Sequence, residues 1–297
     1  MLRHTQYLYD CNRFKMNINS ICVCGAGTMG SGIAQVAAQS GFHTVLFEPD
    51  PEVLQKAKTG IQKSLLALVE KNKIAAGENE KIIQRIRFTD DVQTCLADVF
   101  IEAIVEKLEI KVGLFNQLAE LNHGECVFAS NTSSLSVTKM AEGILHPQRV
   151  IGMHFFNPAT IMKLVEVVNT NYTNTQTTKI VVELAKQMGK TAVICKDSPG
   201  FIVNRVARPY YIEALRLVEE GAADFAGIDL LLEASGFKMG PFRLMDLIGN
   251  DINYAVSSSV YEQLGSPERL QPSAIQKEKV AAAHLGRKTK KGYYDYE

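Results

Sequence analysis

The chain is predicted to be an α/β domain built on a mostly parallel sheet, followed by an all-helical domain. Two observations carry that expectation. From Ile18 to about Ser198, short apolar runs alternate with segments in helical rhythm, and such alternation implies a parallel sheet covered on both faces. After Asp197-Ser198-Pro199-Gly200 only helical patterns follow, over Phe201 to Glu220, Ile228 to Ser235, Phe242 to Leu264 and Ile275 to His284. The expected division is an N-terminal extension over 1–17, a sheet domain over 18–198 and a helical domain over 199–297. Ligand chemistry is expected in the cleft between the last two.

The first strand is Ile21 to Cys24, followed by a glycine-rich turn and a helix over Ser31 to Gln39 that Gly41 ends. Thr44 to Phe47 is the second strand. Pro51 suits the first turn of a charged helix reaching about Asn72. Further strands are expected at Val99 to Val105, Cys126 to Ser130, Val150 to His154, Lys163 to Val168 and Ala192 to Cys195. Helices over Val112 to Leu121 and Gln176 to Met188 lie among them.

Composition narrows the function classes. Of 297 residues, 46% are hydrophobic and 22% charged, an ordinary globular balance. Thirty-two basic residues offset thirty-two acidic ones, so no electrostatic footprint points to nucleic acid. An anionic ligand must therefore be held by local features. No apolar run approaches the ~18 residues of a membrane span, and no membrane partner is expected. The six cysteines show no zinc spacing; reduced, buried thiols in a cytosol-like compartment and no metal site are expected. Met1 to Lys15 carries Arg3, Arg13 and Lys15 without a hydrophobic signal core. An upstream start or frayed tail is expected, with a short transit sequence as the alternative, which leaves an organellar matrix open beside the cytoplasm.

Gly25-Ala26-Gly27-Thr28-Met29-Gly30 is a GxGxxG motif placed directly between the first strand and the first helix, the context that a Rossmann-type dinucleotide site requires. Gly25 permits the tight turn, Gly27 lets the backbone approach a pyrophosphate, and Gly30 lets helix and strand pack closely. The helix N-terminus then offers N–H groups to the phosphates. Glu48 ends the second strand, about where an acidic residue holds the ribose hydroxyls, and a carboxylate there repels a 2′-phosphate, which favours NAD over NADP. Asp50 is the rival acid; position favours Glu48.

Three later stretches bring polar residues to what would be the carboxyl edge of the sheet: Ser130 to Ser134, Gly152 to Pro158 and Ser198 to Arg205. His154 follows a strand. Glu166 lies inside an apolar strand, where a charge needs a partner. From the residues alone, a catalytic His–Glu pair and a structural hydrogen bond remain about equally open.

At these motifs the sequence resembles the 3-hydroxyacyl-CoA dehydrogenase family, which includes 3-hydroxybutyryl-CoA dehydrogenases. The resemblance runs from about Ile18 to Tyr296 through GAGTMGSGIAQVAA, IEAIVEKLEIK, ASNTSSL, GMHFFNPATIMKLVEVV, KDSPGFIVNR, MGPF and GRKTKKGYYDY. It implies an NAD-dependent oxidoreductase of fatty acid metabolism acting on (3S)-3-hydroxyacyl-CoA, with short acyl chains expected, and a homodimer. The catalytic histidine and its glutamate match His154 and Glu166, with Ser133 and Asn204 near the reacting oxygen. Cofactor contacts match Gly25 to Gly30, Glu48, Glu106, Lys111, Ser133, Asn157 and Lys288, and coenzyme A contacts match Ser64 and Lys71. By their own pattern Glu106 and Lys111 look like a surface pair, Lys71 a solvated helix end, and Tyr293, Tyr294 and Tyr296 a packing cluster. Two departures stand out: Glu48 where many relatives carry aspartate, and Lys290 where they often carry glycine. The alternative classes are a related NAD-dependent dehydrogenase of sugar acids and a non-catalytic dinucleotide-binding protein.

Overall fold

A computed structural model describes residues 18–123 and 126–297; the expected extension over 1–17 and Cys11 lie outside the described residues. The chain divides into two compact units, one comprising residues up to Asn131 together with Met140–Ile194, the other Thr132–Lys139 together with Cys195–Glu297.

The first unit is built on β1 (Ser20–Cys24), α1 (Thr28–Gln39), β2 (His43–Phe47), α2 (Pro51–Glu70), α3 (Glu78–Gln84), β3 (Ile86–Thr89), β4 (Val99–Glu102), α4 (Leu108–Leu121) and β5 (Val127–Ser130). After α5 (Val137–Glu142) come β6 (Val150–Phe155), β7 (Leu164–Asn169), α6 (Thr175–Gln187) and β8 (Thr191–Lys196). The eight strands are ordered β3-β2-β1-β4-β5-β6-β7-β8. The pairings from β3 through to β6 are parallel, and β6 pairs with β7 antiparallel. All four residues of β4 and of β5 are buried, as central strands covered on both faces require. On one face Ile21, Val23, Leu46 and Ile101 pack under α1 with Ile33 and Ala37. Phe100, Phe115 and Phe128 are also fully buried, with ring centroids 5.9 Å apart for Phe100–Phe128 and 5.2 Å for Phe115–Phe128. Each such ring is worth roughly 1.5–3 kcal/mol of burial.

The strand order reverses between β1 and β4, the place where open α/β sheets bind ligands at their carboxyl ends. The sequence pattern misses α3, β3 and α5. β3 is an edge strand of four residues with an exposed Arg87, too short and too polar to stand out. The expected strand over Val99 to Val105 ends at Glu102, since the chain turns there toward α4.

The second unit contains α7 (Val203–Glu219), α8 (Phe225–Ala234), α9 (Pro241–Ile248), α10 (Asn250–Gln263) and α11 (Ala274–Ala281). The expected single helix over Phe242 to Leu264 is two helices, because Gly249 breaks it at φ 105°. Thr132–Lys139 packs with this unit: Asp197 Oδ2 accepts from Ser136 Oγ and from the Thr138 N–H, both at 2.7 Å. The core joins Tyr211, Leu215, Phe242, Met245 and Tyr293.

The C-terminal segment is secured by one buried carboxylate. Asp246 accepts from the backbone N–H groups of Tyr293 and Tyr294, from the Tyr296 hydroxyl and from Asn250 Nδ2. A Cβ on Gly292 would lie 2.0 Å from Asp246 Oδ1, so this approach demands glycine. Tyr294 donates its hydroxyl to Asp229 at 2.7 Å, and the tyrosine cluster is thus used in packing.

Lys290 has φ 59° and ψ 7°, a left-handed backbone, which explains the glycine that relatives often carry there. A side chain in this region costs about 1 kcal/mol relative to glycine, less the entropy glycine adds to the unfolded chain. Lys290→Gly is expected to leave the protein at least as stable, gaining up to about 1 kcal/mol in urea unfolding. A clear loss would show that the lysine side chain contributes more than its backbone conformation costs.

Candidate active site

The glycine turn between β1 and α1 is shaped by contacts that exclude side chains. Gly25 has φ +99°, and a Cβ there would meet the Ala103 carbonyl oxygen at 2.6 Å. A Cβ on Gly30 would meet the Gly25 oxygen at 1.7 Å. Gly27 is different: nothing lies within 4 Å of its would-be Cβ, and it caps α1 with no side-chain hydrogen bond. An open glycine at an uncapped helix N-terminus, with no acidic residue in the first turn, is the cradle a pyrophosphate needs. Thr28 is exposed beside it, while Met29 packs against the core.

Glu48 closes this end. Its carboxylate accepts the Ala26 N–H at 3.0 Å and the Asp50 N–H at 3.3 Å, so it stands against the glycine turn. Asp50 has another task, capping α2 by accepting from the N–H groups of Glu52 and Val53. That separates the two acids that position alone left as rivals.

The expected pair Glu106–Lys111 forms, but only Glu106 is at the surface, at 39% side-chain exposure. Lys111 is 1% exposed, and its ammonium lies 3.0 Å from Glu106 and donates to Glu102, which has no exposure at all. Glu102 ends β4 and also accepts from the Ile104 N–H at 2.7 Å and the Ser130 hydroxyl at 2.7 Å. The sequence reading missed Glu102; an acid in a strand otherwise wholly apolar was the available signal, as it was for Glu166.

His154 and Glu166 lie directly opposite each other in the antiparallel β6–β7 pair. Nδ1 of His154 is 2.7 Å from Glu166 Oε2, with the two residues 6% and 1% exposed. The Phe156 ring covers the imidazole at 4.6 Å between centroids. Asn131, after β5, accepts the Phe155 N–H at 2.8 Å and ties the neighbouring loop to β6.

The loop after β6 carries Asn157, which is exposed. It is held by a second residue that the sequence reading missed: the buried Lys190 donates to the carbonyls of Ala159 at 2.6 Å and Met162 at 2.9 Å. Burial lowers the Lys190 pKa. Asn157 and Ser64 line one groove of about 360 Å³ with the start of α1; Lys71 is the exposed C-cap of α2 and does not line it.

Ser133, Asn204 and Lys288 belong to the second unit. Ser133 is half-buried on the loop that Thr132 Oγ1 braces by accepting the Leu135 N–H. Asn204 opens α7, where its carbonyl accepts from Arg208 Nε at 2.8 Å. Arg208 is buried and also donates to the Asn253 carbonyl and Ser257 hydroxyl; burial lowers its pKa to about 10. Lys288 is exposed and pairs with Asp251 at 2.6 Å. Among the described residues no cluster of three or more metal-ligating side chains occurs, and no helix is long and apolar enough to cross a membrane.

Residues 20–198 match the 3-hydroxyacyl-CoA dehydrogenase NAD binding domain, and residues 200–296 match the 3-hydroxyacyl-CoA dehydrogenase C-terminal domain. The chain belongs to the 3-hydroxyacyl-CoA dehydrogenase family. The cofactor of this family's first domain is NAD, and the glycine turn and Glu48 fit it. A 3-hydroxyadipyl-CoA dehydrogenase of Escherichia coli is 44% identical over 95% of this chain, which spans 60% of that relative's length. The mitochondrial hydroxyacyl-coenzyme A dehydrogenase of Sus scrofa is 41% identical, over 95% of this chain and 93% of its own. The crystal structure of an (S)-3-hydroxybutyryl-CoA dehydrogenase from Ralstonia eutropha superposes with TM-score 0.90 at 36% identity, covering 94% of this chain and 99% of that one.

The buried Glu102–Lys111 pair gives a test of what holds the carboxyl end of β4. Glu102→Leu is expected to cost about 3 kcal/mol in urea unfolding, because it leaves the buried Lys111 ammonium with only the solvent-exposed Glu106 as counter-charge and removes the acceptor of the Ile104 N–H. Adding Lys111→Met should recover more than half of that loss. A double variant no more stable than the single one would mean the pair is not the unit that matters.

Proposed function

We propose that the protein interconverts (3S)-3-hydroxyacyl-CoA and 3-oxoacyl-CoA with NAD, using His154 as general base and Glu166 to orient it. The observation that carries the reading is the 2.7 Å contact between His154 Nδ1 and a buried Glu166 carboxylate. A module that only bound a dinucleotide would need no such pair, and free sugar acids would need no coenzyme A contacts.

In the oxidising direction the substrate hydroxyl gives its proton to Nε2 of His154. The Nδ1 contact with Glu166 fixes the tautomer and stabilises the imidazolium that forms. Bound NAD supplies the acceptor for the hydride that leaves C3. Ser133 and Asn204 match the residues that the family carries near the reacting oxygen, and hydrogen-bond donors to charge developing there are typically worth a few kcal/mol. In the reverse direction the imidazolium returns the proton to that oxygen.

Short acyl chains are favoured, since the Ralstonia eutropha structure is named for 3-hydroxybutyryl-CoA. A homodimer is part of the reading: Val206 of α7 and Leu230 and Leu231 of α8 are large apolar side chains left exposed on the second unit, as residues covered by a second copy would be. A reducing compartment, cytoplasm or organellar matrix, is supported by the five free cysteines among the described residues. Burial pushes the Cys126 thiol up to about 12, which keeps it unreactive.

His154→Ala is expected to lower kcat on acetoacetyl-CoA by about 10²–10⁴, the usual share of a general base, with little change in NADH affinity. Glu166→Gln should lower kcat as well, because an amide cannot balance imidazolium. Wild-type turnover in either variant would return that residue to a purely structural role.

Cofactor choice is tested at Glu48. NADH should outperform NADPH by at least about tenfold in kcat/KM, since a phosphate beside this carboxylate is repelled. Glu48→Ala should narrow the ratio, and equal use of both cofactors by the wild type would remove Glu48 from the role.

A further inference from the structure

Ser133 and Asn204, the two residues matched to the oxygen side of the reaction, stand on unequal supports. Asn204 lies in the first turn of α7, a helix of 17 residues. Ser133 lies in the irregular stretch between β5 and α5, and a side chain on such a loop keeps one place only if neighbouring groups hold the loop. Both residues belong to the second unit.

Asp197 stands seven residues before Asn204. Its Oδ2 accepts from Ser136 Oγ and from the Thr138 N–H, both at 2.7 Å. Ser136 Oγ in turn accepts the Lys139 N–H at 3.2 Å. The N–H groups that open α5 are thus met by a local hydroxyl and by a carboxylate 59 residues away in the chain, an arrangement that a helix N-terminus favours. An acid on the loop itself would cap α5 equally well. What the distant one adds is a fixed separation between the Ser133 loop and the chain entering α7.

A second tie comes from the last residue of α10. Gln263 Nε2 donates to the Ser134 carbonyl at 3.0 Å and to Ser259 Oγ at 2.7 Å. One turn earlier, Val260 packs against the turn that leads into α7: a Cβ on Gly200 would meet Val260 Cγ2 at 2.8 Å. The same helix receives the Arg208 guanidinium of α7 on the Asn253 carbonyl and the Ser257 hydroxyl. Helix α10 therefore grips both segments, and Gln263 reaches the residue next to Ser133.

We infer that Asp197 and Gln263 are positioning residues for the reaction: they hold the Ser133 loop at a set distance from Asn204, so that both side chains meet one substrate oxygen. This rests on the reading of Ser133 and Asn204 given above. Each acts through Ser133. Misplacing a reacting or hydrogen-bonding group by about 1 Å costs up to about 10²-fold in rate, so a loop freed at one tie loses turnover before it loses its fold.

The test is a double-mutant cycle on acetoacetyl-CoA reduction, with the melting temperature of each variant measured alongside. Asp197→Ala should lower kcat about tenfold and Gln263→Ala about threefold, with KM for NADH within about twofold of wild type. Asp197→Asn keeps an oxygen for the same two donors and should recover most of the Asp197→Ala loss. In a Ser133→Ala background both losses should shrink to within about twofold, because the group they position is gone. Gln263 is exposed, so Gln263→Ala keeps the cycle readable if Asp197→Ala unfolds. Losses of equal size with and without Ser133 overturn the inference, since the two residues would then act on the fold. Wild-type kcat in either single variant also overturns it, and both results leave the dehydrogenase reading intact. Unchanged kcat in Ser133→Ala overturns the Ser133 assignment and the inference with it. A wild type that does not reduce acetoacetyl-CoA removes the dehydrogenase reading as well.

Discussion

Glu102 ends β4 with no solvent exposure, and water cannot balance its charge. The chain must do so, and it draws on three elements: the Ser130 hydroxyl from β5, the Ile104 N–H from the turn after β4, and the Lys111 ammonium from α4. Satisfying this carboxylate fixes where β5 ends and how α4 enters. It also sets the turn containing Ala103, whose carbonyl leaves Gly25 no room for a Cβ. The glycine turn, the open helix end at Gly27 and the Glu48 contact with Ala26 are arranged around that point. A cost of several kcal/mol for leaving such a group unpaired explains why a charge here constrains so much backbone.

The sheet was legible in the sequence wherever strands are central, because burial on both faces leaves an uninterrupted apolar run, as in Val99 to Glu102. It was not legible at β3, whose edge position allows Arg87 to face out. The break between α9 and α10 was also hidden: Gly249 lies within a helical rhythm that continues on both sides, and only its backbone angle ends the helix. In the candidate site, the glycine turn followed from residue type and spacing, as did the place of Glu48 at the end of β2. The burial of Lys111 did not, since its partner lies on a different element. Lys190 was invisible for a related reason, as its acceptors are backbone carbonyls, which carry no sequence signature.

The two acids near the second strand show how local structure decides between chemically equal candidates. Asp50 and Glu48 are two residues apart and carry the same charge. The shorter side chain caps α2 from its own backbone, a geometry that aspartate reaches well. The longer one reaches back to the Ala26 N–H. Glutamate in place of the aspartate common among relatives thus retains a carboxylate directed at the glycine turn.

The antiparallel register of β6 and β7 has a consequence for how this protein can vary. His154 faces Glu166 across a single rung, and successive residues on a strand point to opposite sides of the sheet. Deleting one residue inside either strand would send one member of the pair to the wrong side, whatever its identity. Changes of length are therefore far more damaging within these twelve strand positions than conservative changes of side chain. Insertions and deletions belong in the connecting loop, and even there the Lys190 contacts at Ala159 and Met162 confine them to the few residues between those anchors. The site is encoded as much by counting as by chemistry.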